Sequence, residues 1–169
     1  MSLPDAEALL ANLAHALRAA MDDEMGLVGI HSGGVLVAER LHEMLGWKLP
    51  LGAIDIAFYR DDFASRGLKP DVRPSDMPFD VAGRDIVLVD DVLYTGRTIR
   101  AALNVLFDYG RPRRVLLAAL VDRGGRQLPI CPQFVGGELQ VAPPEMVVVE
   151  RAADGRLSLS IRGEERAKP

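Results

Sequence analysis

A chain of 169 residues, 49% hydrophobic and 26% charged, is long enough for one domain with a proper core and ordinary in composition for a globular protein. Its formal net charge of -4 counts against a general nucleic-acid binder, although a local basic face is compatible with it. A lone cysteine, Cys131, leaves no disulfide framework and no cysteine-based metal cluster, and no apolar run approaches the about 18 residues of a membrane helix, so a cytoplasmic protein is expected.

Residues 5–21 carry Leu9, Leu10, Leu13, Leu17 and Met21 at spacings of three and four, which predicts an amphipathic helix with His15 and Arg18 off its apolar stripe. Gly26 to Ile30 reads as a short buried strand running into His31-Ser32-Gly33-Gly34, and a second helix follows to near Gly46. A glycine-rich turn between strand and helix usually has a steric explanation. Ile54 to Tyr59 predicts another strand. Residues 60–80 then show charge, glycine and proline without periodicity, as expected of a long functional loop, and Arg60, Arg66, Lys69 and Arg73 would suit a lid closing on an anion.

The most informative stretch is Ile86 to Thr98. Four apolar residues, Ile86 to Val89, predict a strand buried on both faces, ended by Asp90-Asp91. Val92-Leu93-Tyr94-Thr95-Gly96-Arg97-Thr98 leads into a helix with Ile99, Leu103, Leu106 and Phe107 on one side. Amides at such a helix start are unpaired and partly positive, so the loop is a candidate anion site, with Thr95 and Thr98 adding hydroxyl donors and Gly96 letting a phosphate approach the backbone. The two carboxylates beside it can accept from hydroxyls or meet a metal. A ribose 5-phosphate suits that combination. With this loop in hand, His31 to Gly34 becomes a second anion cradle.

Val115 to Val121 is the next predicted buried strand, leading to Asp122-Arg123-Gly124-Gly125-Arg126. Phe134 to Gly137, Met146 to Val149 and Leu157 to Ile161 read as short strands, and Glu164 to Pro169 as a loose tail. Strands alternating with helices over 26–121 predict an α/β fold: a doubly wound, mainly parallel sheet flanked by helices, with ligands at the strands' carboxyl ends. The later strands, within about 122–161, are expected to form a small C-terminal hood on a single domain spanning 1–169.

Other chemistries find no support. An Asp-Asp pair after an apolar run also occurs in phospho-receiver domains, but there it lies near the N-terminus and needs no Thr-Gly-Arg-Thr loop. No Walker lysine, Rossmann fingerprint, His pair or Ser-His-Asp set is legible. Val87 to Thr98 instead resembles the phosphoribosyl-diphosphate (PRPP) motif of type I phosphoribosyltransferases. Ile54-Asp55-Ile56, Tyr59-Arg60-Asp61-Asp62, the Leu93-Tyr94 insert, Tyr109-Gly110-Arg111-Pro112 and Leu120-Val121-Asp122-Arg123-Gly124 narrow the resemblance to the PyrR family, over about residues 5–150. That family comprises pyrimidine-operon regulators with uracil phosphoribosyltransferase activity.

The resemblance implies specific roles. Asp90 and Asp91 would accept from the ribose hydroxyls of PRPP, and Mg²⁺ would arrive on its diphosphate. Val92 and Leu93 would belong to the same PRPP-binding stretch, and Tyr94, Thr95, Gly96, Arg97 and Thr98 would hold the 5-phosphate. Ser32, Gly33 and Gly34 would hold the diphosphate, in a loop that in this fold often contains a non-proline cis peptide. Arg60 and Arg73 would shield the reaction and stabilise departing diphosphate, and uracil would lie against Val121, Asp122, Phe134 and Val135. Two departures stand out. Many members carry Thr-Arg where this chain has Ser32-Gly33, which removes a diphosphate charge partner. The basic face expected to bind pyrimidine-leader mRNA is thinned to His15, Arg18, Arg123 and Arg126, with Asn12, Gly125, Cys131 and Gly137 neutral. RNA attenuation is therefore expected to be weak or absent while the enzyme fold is kept; the alternative is a UMP- or UTP-sensing regulator with vestigial turnover. The family suggests homodimers or homotetramers.

Overall fold

Short apolar runs separated by amphipathic stretches fold here as the alternation predicts. The computed structural model describes residues 3–57 and 74–163. In chain order these form α1 (Ala6–Arg18), β1 (Gly26–Ile30), α2 (Gly33–Leu45), β2 (Gly52–Ile54), β3 (Asp85–Leu93), α3 (Arg97–Asp108), β4 (Arg114–Asp122), β5 (Phe134–Glu138), β6 (Met146–Arg151) and β7 (Leu157–Arg162). The first five strands make one parallel sheet in the order β2-β1-β3-β4-β5, and β6 and β7 make a separate antiparallel pair.

Successive residues of a strand face opposite ways, and both faces of this sheet are covered. Leu27, Val87, Val89, Ala118 and Leu120 pack with α1, α2 and the β6–β7 pair, whereas Val28, Ile30, Ile86, Leu88, Leu117 and Ala119 pack with α3. From β1 the chain crosses through α2 towards one edge, and from the neighbouring β3 it crosses through α3 towards the other. The carboxyl ends of β1 and β3 therefore open a crevice at the point where the winding reverses.

Polar fastenings fix the helices. The Asp5 carboxylate accepts the Glu7 amide at 3.2 Å as the α1 N-cap, and α2 ends on Gly46 at φ 60°. The Trp47 indole donates to the Met25 carbonyl at 2.7 Å inside the core. Glu7 accepts both terminal nitrogens of Arg40, at 2.9 and 3.0 Å, together with the Leu157 amide at 2.7 Å, so one carboxylate ties α1, α2 and β7 together. Burial pushes the Glu7 carboxyl up, but the Leu157 amide and Arg40 outweigh it and hold the group below its usual value. At the amino ends of β3 and β4, the buried Asp85 accepts from Arg113 and Arg114, each at 2.7 Å.

Three boundaries differ from expectation. The first helix stops at Arg18 rather than residue 21, and the strand predicted over 54–59 lies at Gly52–Ile54, with residues after 57 outside those described. Within the stretch 60–80, residues 60–73 are also outside them, but residues 74–80 are not a free loop. Asp76 and Ala53 exchange two backbone hydrogen bonds at 2.7 and 2.8 Å, and the Asp55 amide donates to Ser75 Oγ at 2.9 Å, which adds a pairing to the outer edge of β2. Phe134 to Gly137, expected in the hood, belongs instead to β5 of the main sheet. Gly136 permits this: a Cβ there would lie 2.6 Å from both the Leu120 and the Leu9 carbonyl oxygens, so β5 fits only because α1 can approach its bare backbone.

Candidate functional site

The two loops singled out from sequence lie at the carboxyl ends of the adjacent strands β1 and β3, on the crevice. After β1, the His31–Ser32 peptide is cis and Ser32 stands at the N-cap of α2. Gly34 lies so close to β3 that a Cβ would fall 2.5 Å from the Val89 carbonyl oxygen. At Gly33 a Cβ would fall 1.9 Å from Asp91 Oδ2. The absent side chain at 33 is thus filled by the carboxylate of Asp91, and the amino end of α2 abuts the acidic pair.

The acidic pair lies inside the strand rather than beyond its end. β3 continues through Asp90, Asp91 and Val92 to Leu93, with Val92 opposite Val121 and Leu93 opposite Asp122. Asp90 is buried, and its Oδ1 accepts the Asp91 amide at 3.0 Å. The chain then turns through Tyr94 and Thr95 to Gly96, whose φ of 91° caps the start of α3. The Arg97 amide donates to Thr95 Oγ1 at 3.2 Å. The next amides of the first turn, Thr98 and Ile99, have no acceptor within a helix and point to where an anion would sit.

The turn after β4 supports this loop from behind. The Thr95 carbonyl accepts the Gln127 and Leu128 amides at 2.9 and 3.2 Å, and Gln127 Oε1 accepts from Arg97 Nε at 3.1 Å. Arg126 donates to the carbonyls of Tyr94 at 2.8 Å and Ile130 at 3.0 Å and pairs with the Asp122 carboxylate. Asp122 also accepts the Gly124 amide at 2.9 Å. Burial raises the Asp122 carboxyl, yet Arg126 and the Gly124 amide prevail and keep it below the ordinary aspartate range. Arg123 is only 9% exposed. Its guanidinium donates to the Glu145 and Val141 carbonyls, both at 3.1 Å, and lies 4.0 Å from the centroid of the Tyr94 ring.

Ser32, Gly33, Gly34, Asp90, Asp91 and the Tyr94-to-Thr98 loop therefore gather at one end of the sheet. Val121 is fully buried beside them, and the Asp122 carboxylate is engaged within its own turn. Phe134 and Val135 pair with Ala118 and Ala119, further down the strand, and the row level with Val121 and Asp122 holds Gly137 and Glu138. Patterning does not reveal that row, because register across a parallel pair is invisible in one sequence. Of the four basic candidates for RNA, His15 and Arg18 are exposed on α1, whereas Arg123 and Arg126 turn inward. Arg60 and Arg73 lie outside the described residues. Among the described residues no group of three or more His, Cys, Asp or Glu could hold a metal ion, so Asp90 and Asp91 offer only a partial oxygen set of the kind that Mg²⁺ completes with substrate phosphates. No helix among them is long and apolar enough to cross a membrane.

With this geometry established, comparison with known proteins is direct. The phosphoribosyl transferase domain family matches residues 2–144. The bifunctional protein PyrR of Nitrosococcus oceani is 55% identical over 147 residues, covering 83% of both chains. That of Pseudomonas aeruginosa is 53% identical over 152 residues, covering 87% of this chain and 89% of the relative. Among solved structures, a purine phosphoribosyltransferase from Pyrococcus horikoshii superposes with a TM-score of 0.62 at 26% identity, over 83% of this chain and 86% of that one. A hypoxanthine-guanine phosphoribosyltransferase from Bacillus anthracis gives 0.65 at 17% identity, over 86% and 85% respectively, a likeness of fold.

Proposed function

Because the chain belongs to the phosphoribosyltransferase family, and within it to the PyrR group, we propose that it is a uracil phosphoribosyltransferase, converting uracil and PRPP to UMP and diphosphate. The observation that carries the reading is the contact between the start of α2 and the acidic pair: Gly33 lies against Asp91 of β3, whose strand runs on into the loop that opens α3, so both candidate anion cradles adjoin the same pair of carboxylates. A sugar with phosphate at one end and diphosphate at the other fits that spacing of charges.

In this reading the Tyr94-to-Thr98 loop binds the 5-phosphate, Ser32 to Gly34 receive the diphosphate, and Asp90 and Asp91 accept from the ribose hydroxyls between them. The bond from uracil N1 to the ribose C1 forms as the bond from C1 to the diphosphate oxygen breaks, and the N1 proton is released. Phosphoribosyltransferases generally use Mg²⁺ with PRPP; here the ion would arrive with the diphosphate near Asp90 and Asp91 and would supply positive charge to the leaving group. The base would lie on the β4–β5 edge and be read largely by backbone groups, since the Asp122 carboxylate is occupied. A cytoplasmic protein that works as a homodimer or homotetramer and also meets UTP fits the same assignment.

The direct test is UMP formation from uracil and PRPP with Mg²⁺. Absence of product at saturating PRPP would end the proposal. Binding to pyrimidine-leader RNA is proposed to be weak, because only His15 and Arg18 of the four basic candidates are exposed. Its check is the slope of affinity against salt, which should be shallow, as few phosphates are neutralised.

A further inference from the structure

Arg123 combines three properties that its place after a strand does not require. It is nine-tenths buried, its Nε has no hydrogen-bond partner, and no carboxylate pairs with it among the described residues. What surrounds its charge is neutral: two carbonyls, of Glu145 and Val141, and the face of Tyr94. Carbonyl dipoles and a ring face ease the desolvation of a guanidinium but do not cancel its charge. Tyr94 opens the loop assigned to the 5-phosphate, and its ring is confined on another side by Gly125, where a Cβ would come within 2.4 Å of Cε2. The cation is therefore stacked on the first residue of an anion-binding loop.

We propose that Arg123 is a positioning residue for the phosphorylated ligand: it holds Tyr94, and with it the loop through Thr98, and its uncompensated charge is set against the ligand's phosphate. The inference rests on the reading of Tyr94 to Thr98 as the phosphate loop. It also gives Arg123 a purpose other than RNA contact, for which its burial leaves no access.

The experiment compares UMP with uridine, which differ by the phosphate alone. Binding of each is measured by calorimetry for the wild type and for Arg123→Met, which keeps the length and removes the charge, alongside the thermal midpoint without ligand. UMP affinity should fall on the order of 10-fold, as expected for loss of one nearby charge in a partly buried site. Uridine affinity should change less than about twofold, while the midpoint should fall modestly, because the Glu145 and Val141 carbonyls lose their donors. Equal weakening of UMP and uridine, or unchanged UMP affinity, would overturn the proposal. Should Arg123→Met fail to fold, Tyr94→Leu removes the stacking face and must lower the same UMP-to-uridine ratio; an unchanged ratio overturns the proposal equally. A wild type that binds UMP but synthesises none would defeat the assigned reaction and leave this ratio to decide the role of Arg123. A wild type that shows no preference for UMP over uridine overturns both.

Discussion

Gly33→Ala isolates the contact between the start of α2 and Asp91 of β3. The new Cβ would meet Asp91 at 1.9 Å from Oδ2, 2.3 Å from Cγ and 2.9 Å from Cβ. Rotating the Asp91 side chain moves the first two atoms away but not the third, so the backbones of α2 and β3 must also separate. Overpacking of this kind costs about 1–3 kcal/mol, partly offset by the roughly 1 kcal/mol that alanine gains over glycine in a helix. Net stability should thus fall by no more than about 2 kcal/mol. Activity should suffer more, since displacing a substrate-positioning carboxylate by about 1 Å costs on the order of 100-fold. Gly33→Arg, which installs the residue that many family members carry, brings the same Cβ and should also lose activity, although it adds a diphosphate partner. The assay is kcat/KM for PRPP beside a thermal melt. Either variant within threefold of wild type, or Gly33→Arg above it, would refute the reasoning.

Other expectations follow from the fastenings of the fold. The Arg113 hydrogen bond, aided by Arg114, holds Asp85 below the usual carboxylate range despite its burial, so its contribution is complete above about pH 4 and is lost as pH falls through the lower folded value. Both arginines are more than half exposed, which limits the loss in Asp85→Asn to about 1–2 kcal/mol at neutral pH; urea midpoints of variant and wild type should draw together as pH falls through and below the ordinary aspartate range. Gly136→Ala should push α1 from the sheet and cost at least about 2 kcal/mol by chemical denaturation, because both close atoms are backbone carbonyls that cannot swing aside. Glu7→Gln should cost about 1 kcal/mol and speed hydrogen exchange at the Leu157 amide, and an unchanged exchange rate there would show that the clasp does not hold β7.

Local pattern carried the order of elements. Apolar runs at 26–30, 86–89 and 115–121, the first two each followed by a polar turn and an amphipathic stretch, determine a parallel sheet almost unaided, and the Asp90-to-Thr98 string falls at its carboxyl end. The misjudged features depend on partners remote in sequence. Asp90 reads as a strand terminator, yet it is accommodated inside β3 because the next amide satisfies it. Phe134 to Gly137 reads correctly as a strand, but its place in the main sheet depends on the approach of Leu9 from α1 to the bare backbone of Gly136 and Gly137. Arg123 sits in a glycine-rich turn, where arginine is ordinarily exposed, and the ring that draws it inward lies in another loop. Register decided the rest: with β5 paired as it is, Glu138 rather than Val135 stands level with Asp122.

The pairing of Asp76 with Ala53 has a consequence for self-association. A three-residue edge strand such as Gly52–Ile54 would otherwise present free amide and carbonyl groups along its outer side, a template for a foreign strand. Two backbone hydrogen bonds and the Ser75 hydroxyl occupy that side with the protein's own chain, so the sheet ends in a capped border. Contact between copies of this protein is thereby steered away from strand addition at β2 and towards side-chain surfaces.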